Sequence, residues 1–490
     1  MRCGLAVLEG MTDADIDWIL DFGLEREIAP GELLVAENTR PEVIFLVASG
    51  VLSVFLGIDG EGRVAMVGPG QIVGEMSFLE DRPTSASVAA LDYSHIICLP
   101  LSILQPKLDE DLGFAARLYR SIARLNSQRL RELLGIFGRC IQEGASPQLI
   151  SSDISQELAT ATQQCKETLI AVEIEEDKAA AACRLSTAIK EFAALLNRLI
   201  GPASPAALDM RDELGARVQQ ELLPFFLKSQ IAKMLYYKPR GYALDFQTME
   251  LIADGPREPE SALNVVLRAL PSLSALGKRE QLLAETIAHS ARNHTEGPFR
   301  FTTIADQAGR TAFSALSLAT APEQLHVAVY DFDSKALDQV AQRSAVIGRS
   351  AQFTCVNTHL LSLIAGRMPA GRCDQHLVCS AGLADMLEDR FLLRLINSVY
   401  DLLAPGGRLV VGFYHSGQSD RSLLSYVLNV DFKHRTESEV NDLFARSYFR
   451  RAATTVRFEA EHACFLAECV KPALPCGGAA FGLHPSQRRP

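Results

Sequence analysis

The stretch Gly74-Glu75-Met76-Ser77-Phe78-Leu79-Glu80-Asp81-Arg82-Pro83-Thr84-Ser85-Ala86-Ser87-Val88 closes a series of short apolar runs punctuated by glycine. Just before it stand the strand candidate Val64 to Val67 and the turn Gly68-Pro69-Gly70, and further back Asp59-Gly60 through Gly62 reads as another turn. Val43 to Val47 and Val51 to Leu56 are expected to pair across Ser49-Gly50, and Pro30-Gly31-Glu32 opens one more strand. A short helical pattern, Met11 to Leu20, precedes them. Strands at this even spacing predict a compact β-roll. The apolar run Val43 to Ile58 is interrupted by Ser49-Gly50 and Ser53 and falls short of the roughly 20 residues that a bilayer span needs.

The chain has 490 residues, too many for one ordinary core, so two or three domains are expected. Hydrophobic residues at 48% with 22% charged place it among folded globular proteins. A net charge of −11 gives no general attraction to nucleic acid or to an anionic membrane. Eleven cysteines, odd in number and never spaced as CxxC, read as reduced thiols of a cytosolic protein, with no disulfide framework and no metal site. Met1 to Gly10 lacks the basic start and apolar run of a signal peptide.

Gly31-Glu32, Gly50, Gly68-Pro69-Gly70 and Gly74-Glu75 fall where a cyclic-nucleotide-binding domain has them, and the resemblance covers residues about 5 to 137. It implies that Gly74 forms the turn, that Glu75 accepts the ribose 2′-hydroxyl, and that Ser85 with nearby amides meets the cyclic phosphate. Thr84 fills the slot where the family carries an arginine, whose planar fork matches phosphate oxygens; Arg82 lies two positions early. Two readings follow: a sensor with a cyclic nucleotide as regulator, or a β-roll kept as a dimer or signalling scaffold. Phe114 to Phe137 is amphipathic, with Phe114, Leu118, Ile122, Leu125, Leu130 and Leu133 on one stripe, and that stripe suits either a homodimer or its own β-roll. In transcription factors of the catabolite-activator type a winged helix-turn-helix follows. Ser151 to Glu176 lacks the turn glycine and carries Glu157, Glu167, Glu173, Glu175 and Glu176, which would repel phosphates, so no nucleic-acid partner is expected.

From about 148 to 235 the texture is helical, with breaks at Gly201-Pro202 and Pro205 and a break or kink at Pro224. Strand candidates then alternate with helical runs: Phe301 to Ile304, Leu325 to Tyr330, Ala351 to Val356, Gln375 to Cys379 and Arg408 to Phe413, with helices such as Ser334 to Ser344 and Arg390 to Leu403 between them. That alternation predicts a parallel α/β sheet covered on both faces, binding ligands at the carboxyl ends of its strands. The expected fold is therefore multidomain: a β-roll with its helix over 1–137, an α-helical connector over 138–235, a Rossmann-like α/β domain over 236–470, and a loose tail over 471–490.

Leu402-Leu403-Ala404-Pro405-Gly406-Gly407-Arg408-Leu409-Val410-Val411-Gly412-Phe413, with Asp374 to Leu383 before it, resembles class I S-adenosylmethionine-dependent methyltransferases. Val329-Tyr330-Asp331-Phe332-Asp333 has their acidic residue at the end of the second strand. Tyr236-Tyr237-Lys238-Pro239-Arg240-Gly241-Tyr242-Ala243-Leu244-Asp245-Phe246 is similar to a segment of the methyltransferases that make 3-hydroxy fatty acid methyl esters, the bacterial extracellular signalling factors. Some members of that group carry an N-terminal cyclic-nucleotide-binding domain. The resemblance implies S-adenosylmethionine as cofactor, held by Ala305, Gln307, Gly309, Asp331, Asn357, Ser380 and Gly382. It implies an anionic small-molecule substrate, held by Lys238, Arg240, Tyr242 and Asp245. The chain departs from the pattern at Gln307 and Leu244, both of which occupy glycine positions. Methyl transfer to a carboxylate needs little acid or base help, so no catalytic side chain is singled out, and His376, His415 and His434 read as packing or surface residues. The expected function is a cytoplasmic methyltransferase acting on a fatty-acid-like carboxylate under control of the N-terminal domain; the other reading is a non-catalytic signalling protein whose two pockets have degenerated.

Overall fold

The computed structural model describes residues 7–56, 62–141, 153–255, 260–367 and 374–473. The expected turn at Asp59-Gly60 and the tail from residue 474 onward lie outside the described residues. Helix α1 (Asp13–Phe22) is closed at its start by a reciprocal pair, the Thr12 hydroxyl accepting from the Asp15 amide and the Asp15 carboxylate from the Thr12 amide. Strands β1 (Leu24–Ile28), β2 (Leu33–Val35), β3 (Val43–Ser49), β4 (Leu52–Leu56), β5 (Gly62–Val67) and β6 (Ile72–Val73) follow. After the short helix α2 (Glu75–Glu80) come β7 (Ser87–Ala90), β8 (Ser94–Pro100), α3 (Leu101–Glu110) and α4 (Leu112–Ile141).

The strands form two four-stranded antiparallel sheets, β1-β8-β3-β6 and β2-β7-β4-β5, packed over Ile28, Val47, Leu52, Val88 and Ile96. The hairpin expected across Ser49-Gly50 is a correction: β3 pairs with β8 and β6, while β4 pairs with β5 and β7. Gly50, at φ +84°, turns the chain from one sheet into the other, and a Cβ there would stand 2.6 Å from the Cα of Ser94. Of the stripe on α4, Phe114, Leu118, Ile122 and Leu125 are buried within the chain's own core, whereas Leu130 is 56% exposed. The side chains beyond Leu130 on that helix lie outside the described residues.

Among the described residues seven helices come next: α5 (Asp153–Glu173), α6 (Lys178–Ile200), α7 (Leu208–Phe226), α8 (Gln230–Tyr237), α9 (Phe246–Asp254), α10 (Ala262–Arg268) and α11 (Pro271–Arg292). Helix α7 runs through Pro224 and ends two residues later, so the break expected there is only the last turn. The α/β section then alternates β9 (Phe299–Ile304), α12 (Arg310–Leu318), β10 (Leu325–Asp331), α13 (Ser334–Val346), β11 (Phe353–Asn357), α14 (Leu360–Ile364), β12 (Gln375–Ser380), α15 (Asp389–Leu402) and β13 (Leu403–His415). It finishes with α16 (Arg421–Leu428), β14 (His434–Arg435), α17 (Glu437–Arg446), β15 (Thr455–Phe458) and β16 (Cys464–Val470). The sheet order is β11-β10-β9-β12-β13-β16-β15, the first five strands being parallel and β16 antiparallel to both neighbours. The order reverses between β9 and β12, which makes the crevice outside their carboxyl ends the natural ligand position.

Apolar strands explain why both faces are covered. Helix α15 lays Phe391, Leu392, Leu395, Ile396, Val399 and Leu402 on one face. On the other, Leu283, Ala284 and Ile287 of α11 pack with Phe301, Val329, Leu377 and Val410 of the strands. Leu185, Ile189, Leu222 and Leu235 of the preceding helices share a separate core with Leu263, Leu267, Leu423 and Val427. The helices expected as a connector are thus packed against helices of the α/β section, and a boundary at 235 cuts through packed side chains.

The β-roll is docked with equal intimacy. Ile44, Leu46, Ile97 and Phe114 belong to the same apolar cluster as Leu360, Leu361, Phe391 and Phe413. Around its rim Arg394 meets Asp17 at 2.6 Å, Arg367 pairs with Asp21, and Arg390 donates to the carbonyls of Leu8 and Met11. Among the described residues no helix is long and apolar enough to cross a membrane.

Candidate functional site

In the β-roll, Gly74 takes φ +89° and caps α2, which places the buried Glu75 at the first helical position. The Glu75 carboxylate is occupied by Arg129 of α4, whose other terminal nitrogen donates to the Ile72 carbonyl at 3.0 Å. Thr84 is engaged by a loop: its hydroxyl donates to the Ala36 carbonyl at 2.6 Å and accepts from the Thr39 amide at 3.1 Å. It fastens the cassette to the 36–39 loop, a task for a short hydroxyl. Ser85 is exposed, and Arg82, 77% exposed, points to Glu80 at 3.8 Å. The guanidinium beside Glu75 therefore comes from the long helix, a source that the cassette alone could not reveal.

At the switch point of the sheet, Tyr242, Leu244, Ala305, Gln307, Asp331 and Gly382 line one cavity. Its volume is about 20 Å³, room for one water. The filling begins with the backbone. Ala305, Gln307 and Ala308 all have positive φ, at 53°, 46° and 63°, ahead of Gly309 at 72°. The loop thus keeps a glycine-type path while carrying side chains, at about 1–2 kcal/mol for each non-glycine residue. Leu244, at φ 59°, closes the opposite wall, and its carbonyl accepts from the Gln307 side-chain Nε2 at 3.4 Å. Asp306, between these residues, accepts from the amides of Thr311 and Ala312 at 3.1 Å each and so stabilises the start of α12; burial lifts its carboxyl to about 6.

Asp331 ends β10, buried, and accepts from the Asp333 amide at 2.9 Å. Burial first, then the charge of Asp333, pushes its carboxyl up to about 8. Ser380 donates to the Ile304 carbonyl at 2.9 Å and ties β12 to β9. Gly309 caps α12, and Asn357 lies at the exposed end of β11 beside His95 of the β-roll, 3.2 Å away. Four of the seven expected cofactor residues therefore share the cavity: Ala305, Gln307, Asp331 and Gly382.

The residues expected to hold substrate do different work. Lys238 is buried and donates to the Asn429 carbonyl at 2.6 Å. Asp245 caps α9 through the Thr248 amide at 2.9 Å, and burial lifts its carboxyl to about 6. Tyr242 faces the cavity and donates to Asp333 at 3.2 Å. Arg240 is the centre of a clamp: it grips Asp333 through two nitrogens and Asp92, in the β-roll, at 2.7 Å through the third. Burial works against its charge, but the hydrogen bond and charge of Asp333, then the charge of Asp92, hold its pKa above the ordinary value. Lys335 joins Asp92, and one Asp333 oxygen also caps α13 through the amides of Lys335 and Ala336. Beside the clamp, Gly68 and Gly241 touch backbone to backbone; a Cβ on Gly241 would stand 2.7 Å from the Cα of Gly68. The segment 238–245 thus forms the joint between the β-roll and the cavity. Asp92 carries no sequence signal of this role, whereas Asp333 stands two residues beyond the acidic position already singled out.

These two sheets with a glycine-capped cassette and its carboxylate define a cyclic-nucleotide-sensor type of β-roll. Residues 25–111 match the cyclic nucleotide-binding domain family, and the N-terminal part of the chain is such a domain. A curated relative, the cyclic AMP receptor protein of Thermus thermophilus, is 29% identical over 135 residues, which are 26% of this chain and 59% of that protein. This chain therefore spans little more than half the length of that relative. A solved structure from a cyclic-GMP-dependent signalling pathway that regulates bacterial phytopathogenesis is 31% identical, covering 24% of this chain and 95% of its own, with a TM-score of 0.21. Another, a possible exported protein from Bordetella parapertussis, is 17% identical with a TM-score of 0.43, covering 67% of this chain and all (100%) of its own.

Proposed function

We propose that this chain is an S-adenosylmethionine-dependent methyltransferase, acting on a fatty-acid-like carboxylate, whose cofactor crevice is gated by the cyclic nucleotide-binding domain. The observation that carries this reading is the joint: the segment that walls the crevice through Tyr242 and Leu244 is the one clamped to the β-roll through Arg240 and Gly241. Further support comes from the reversal of strand order beside the cavity.

The side chains present suit the cofactor in chemistry. Asp331 would hold the ribose hydroxyls, and the glycine-type backbone at 305–309 allows a close approach. The cofactor supplies an electrophilic methyl group and its own leaving group. The protein positions the acceptor and excludes water, which needs no acid or base from the chain. Space is the obstacle, since a cavity of about 20 Å³ admits no nucleoside. On this reading the conformation is the closed one, and a ligand at Glu75 that displaces Arg129 loosens the β-roll and the 238–245 wall with it.

Titration calorimetry of the full chain with S-adenosylmethionine and S-adenosylhomocysteine, alone and with cyclic AMP or cyclic GMP, tests the proposal. Heat that grows when a cyclic nucleotide is added supports gating, and equal heat with and without it leaves the methyltransferase but removes the gate. No heat at high concentration under any condition overturns the whole reading. The side chains at 305, 307 and 308 favour a second reading, in which the α/β section is a non-catalytic signalling body. That reading predicts normal folding with no cofactor bound in any state.

A further inference from the structure

Arg279, on α11, is a fully buried guanidinium held in place by two glycines. A Cβ at Gly412 would stand 2.8 Å from its Cδ, and one at Gly382 would stand 3.1 Å from its Nη2. Among the described residues its charge is balanced on one side only. Nη1 donates to Asp385 at 2.6 Å, the other Asp385 oxygen accepts from the Tyr414 amide at 2.8 Å, and the Tyr414 ring lies 5.1 Å beneath the guanidinium. Among the described residues the Nε–H group, which is buried, has no hydrogen-bond partner.

A guanidinium presents Nε–H and one Nη2–H side by side, the pair that matches the two oxygens of a carboxylate. In Arg279 that edge is the one Asp385 leaves unused. Its Nη2 borders the space left by the missing side chain of Gly382, and Gly382 is itself a wall of the crevice. A buried donor without an acceptor is costly, so an edge of this kind is expected to serve a ligand. We infer that the Nε/Nη2 edge of Arg279 receives a carboxylate entering the crevice past Gly382. This rests on the methyltransferase reading and adds to it the group that anchors the ligand. The carboxylate has two candidate sources, the amino-acid part of the cofactor and the methyl acceptor.

The experiment is titration calorimetry on the full chain with Arg279→Lys, which keeps the charge beside Asp385 but removes the fork. Because a core substitution can unfold the protein, the double variant Arg279→Met/Asp385→Asn, which leaves no buried charge, is measured alongside, with circular dichroism on both. Four probes are used: S-adenosylhomocysteine; 5′-methylthioadenosine, which lacks the amino-acid carboxylate; octanoate; and methyl octanoate. If the cofactor supplies the carboxylate, S-adenosylhomocysteine weakens about tenfold or more in the folded variants while methylthioadenosine is unchanged. If the acceptor supplies it, octanoate loses binding by a similar factor and methyl octanoate never binds. Binding of both carboxylate probes within about twofold of wild type in a folded variant overturns the inference yet leaves the methyltransferase reading intact. Failure of all four probes on the wild-type chain overturns both.

Discussion

Asp92→Asn is the most direct probe of the joint between the β-roll and the crevice. Side chains of Arg240, Asp92 and Asp333 are 6%, 7% and 2% exposed, so the clamp is dry. Stripping one partner from a buried ion pair costs about 3–5 kcal/mol. The amide keeps one acceptor for Arg240, Asp333 still grips it twice, and Lys335 is half exposed and regains water. The expected loss is therefore smaller, about 2 kcal/mol, which at about 1.4 kcal/mol per decade shifts the docked-to-undocked ratio roughly 30-fold. Hydrogen exchange reads this at two amides on either side of the joint, Gly70, bonded to the Val47 carbonyl at 2.7 Å, and Gly241, bonded to the Lys238 carbonyl at 2.7 Å. Both should exchange roughly 30-fold faster if they are exposed only when the β-roll lifts. Asp21→Asn is the internal control, since it breaks a pair with Arg367 at the same interface whose side chains are 61% and 38% exposed. Such a pair is worth about 0–1 kcal/mol. Equal exchange in the two variants would refute the idea that the dry clamp, more than the rim, holds the joint.

Gly241→Ala should lower the melting temperature markedly, losing about 3 kcal/mol from positive-φ strain plus the 2.7 Å approach to Gly68; Gly348→Ala, at φ +68° in open space, should lose only about 1. Gln307→Gly should leave stability nearly unchanged, because the relief of strain at φ 46° is offset by about 0.5–1 kcal/mol of backbone entropy, while widening the crevice. Calorimetry with S-adenosylhomocysteine then divides the two functional readings: tightening of measurable wild-type binding favours the methyltransferase, and binding seen in the variant alone favours the non-catalytic body. Asp331 gives a pH signature. Its carboxyl titrates near 8 when folded against 3.8 otherwise, so between those values the folded state holds a proton that the unfolded state lacks. Stability from this group is full below the lower value and is lost as pH rises, by about 1.4 kcal/mol per unit. Asp331→Asn removes that slope, so the variant's advantage in denaturant midpoint should widen from about pH 5 to about pH 8; parallel curves would contradict the assignment.

The alternation of apolar strands with helices made the parallel sheet readable in advance, because strands buried on both faces are largely apolar and β9, β10, β12 and β13 are mostly buried, whereas the edge strand β11 is not. Glycines made the β-roll readable for a related reason: Gly50 and Gly74 need positive φ. What stayed hidden was pairing between residues distant in sequence. Ser49-Gly50 looks locally like a hairpin turn, and only the approach of Ser94 makes it a corner between sheets. Arg240 looks locally like a free cation for an anionic ligand, and its two carboxylates come from 148 positions before it and 93 after it. Arg279 gave no signal, since a buried arginine has no period or motif of its own.

The shared apolar cluster has a consequence for how this chain can be taken apart. Leu360, Leu361, Leu363 and Ile364 of α14 rest on the β-roll side of that cluster. A fragment lacking the β-roll would present them to water, a sticky surface prone to self-association. The same contact binds the fates of the two parts, so heating should melt them in one transition, and exchange of one β-roll for another among related chains would have to carry α14 and the 238–245 segment with it. The sensor here is less a detachable module than one wall of the body it is proposed to control.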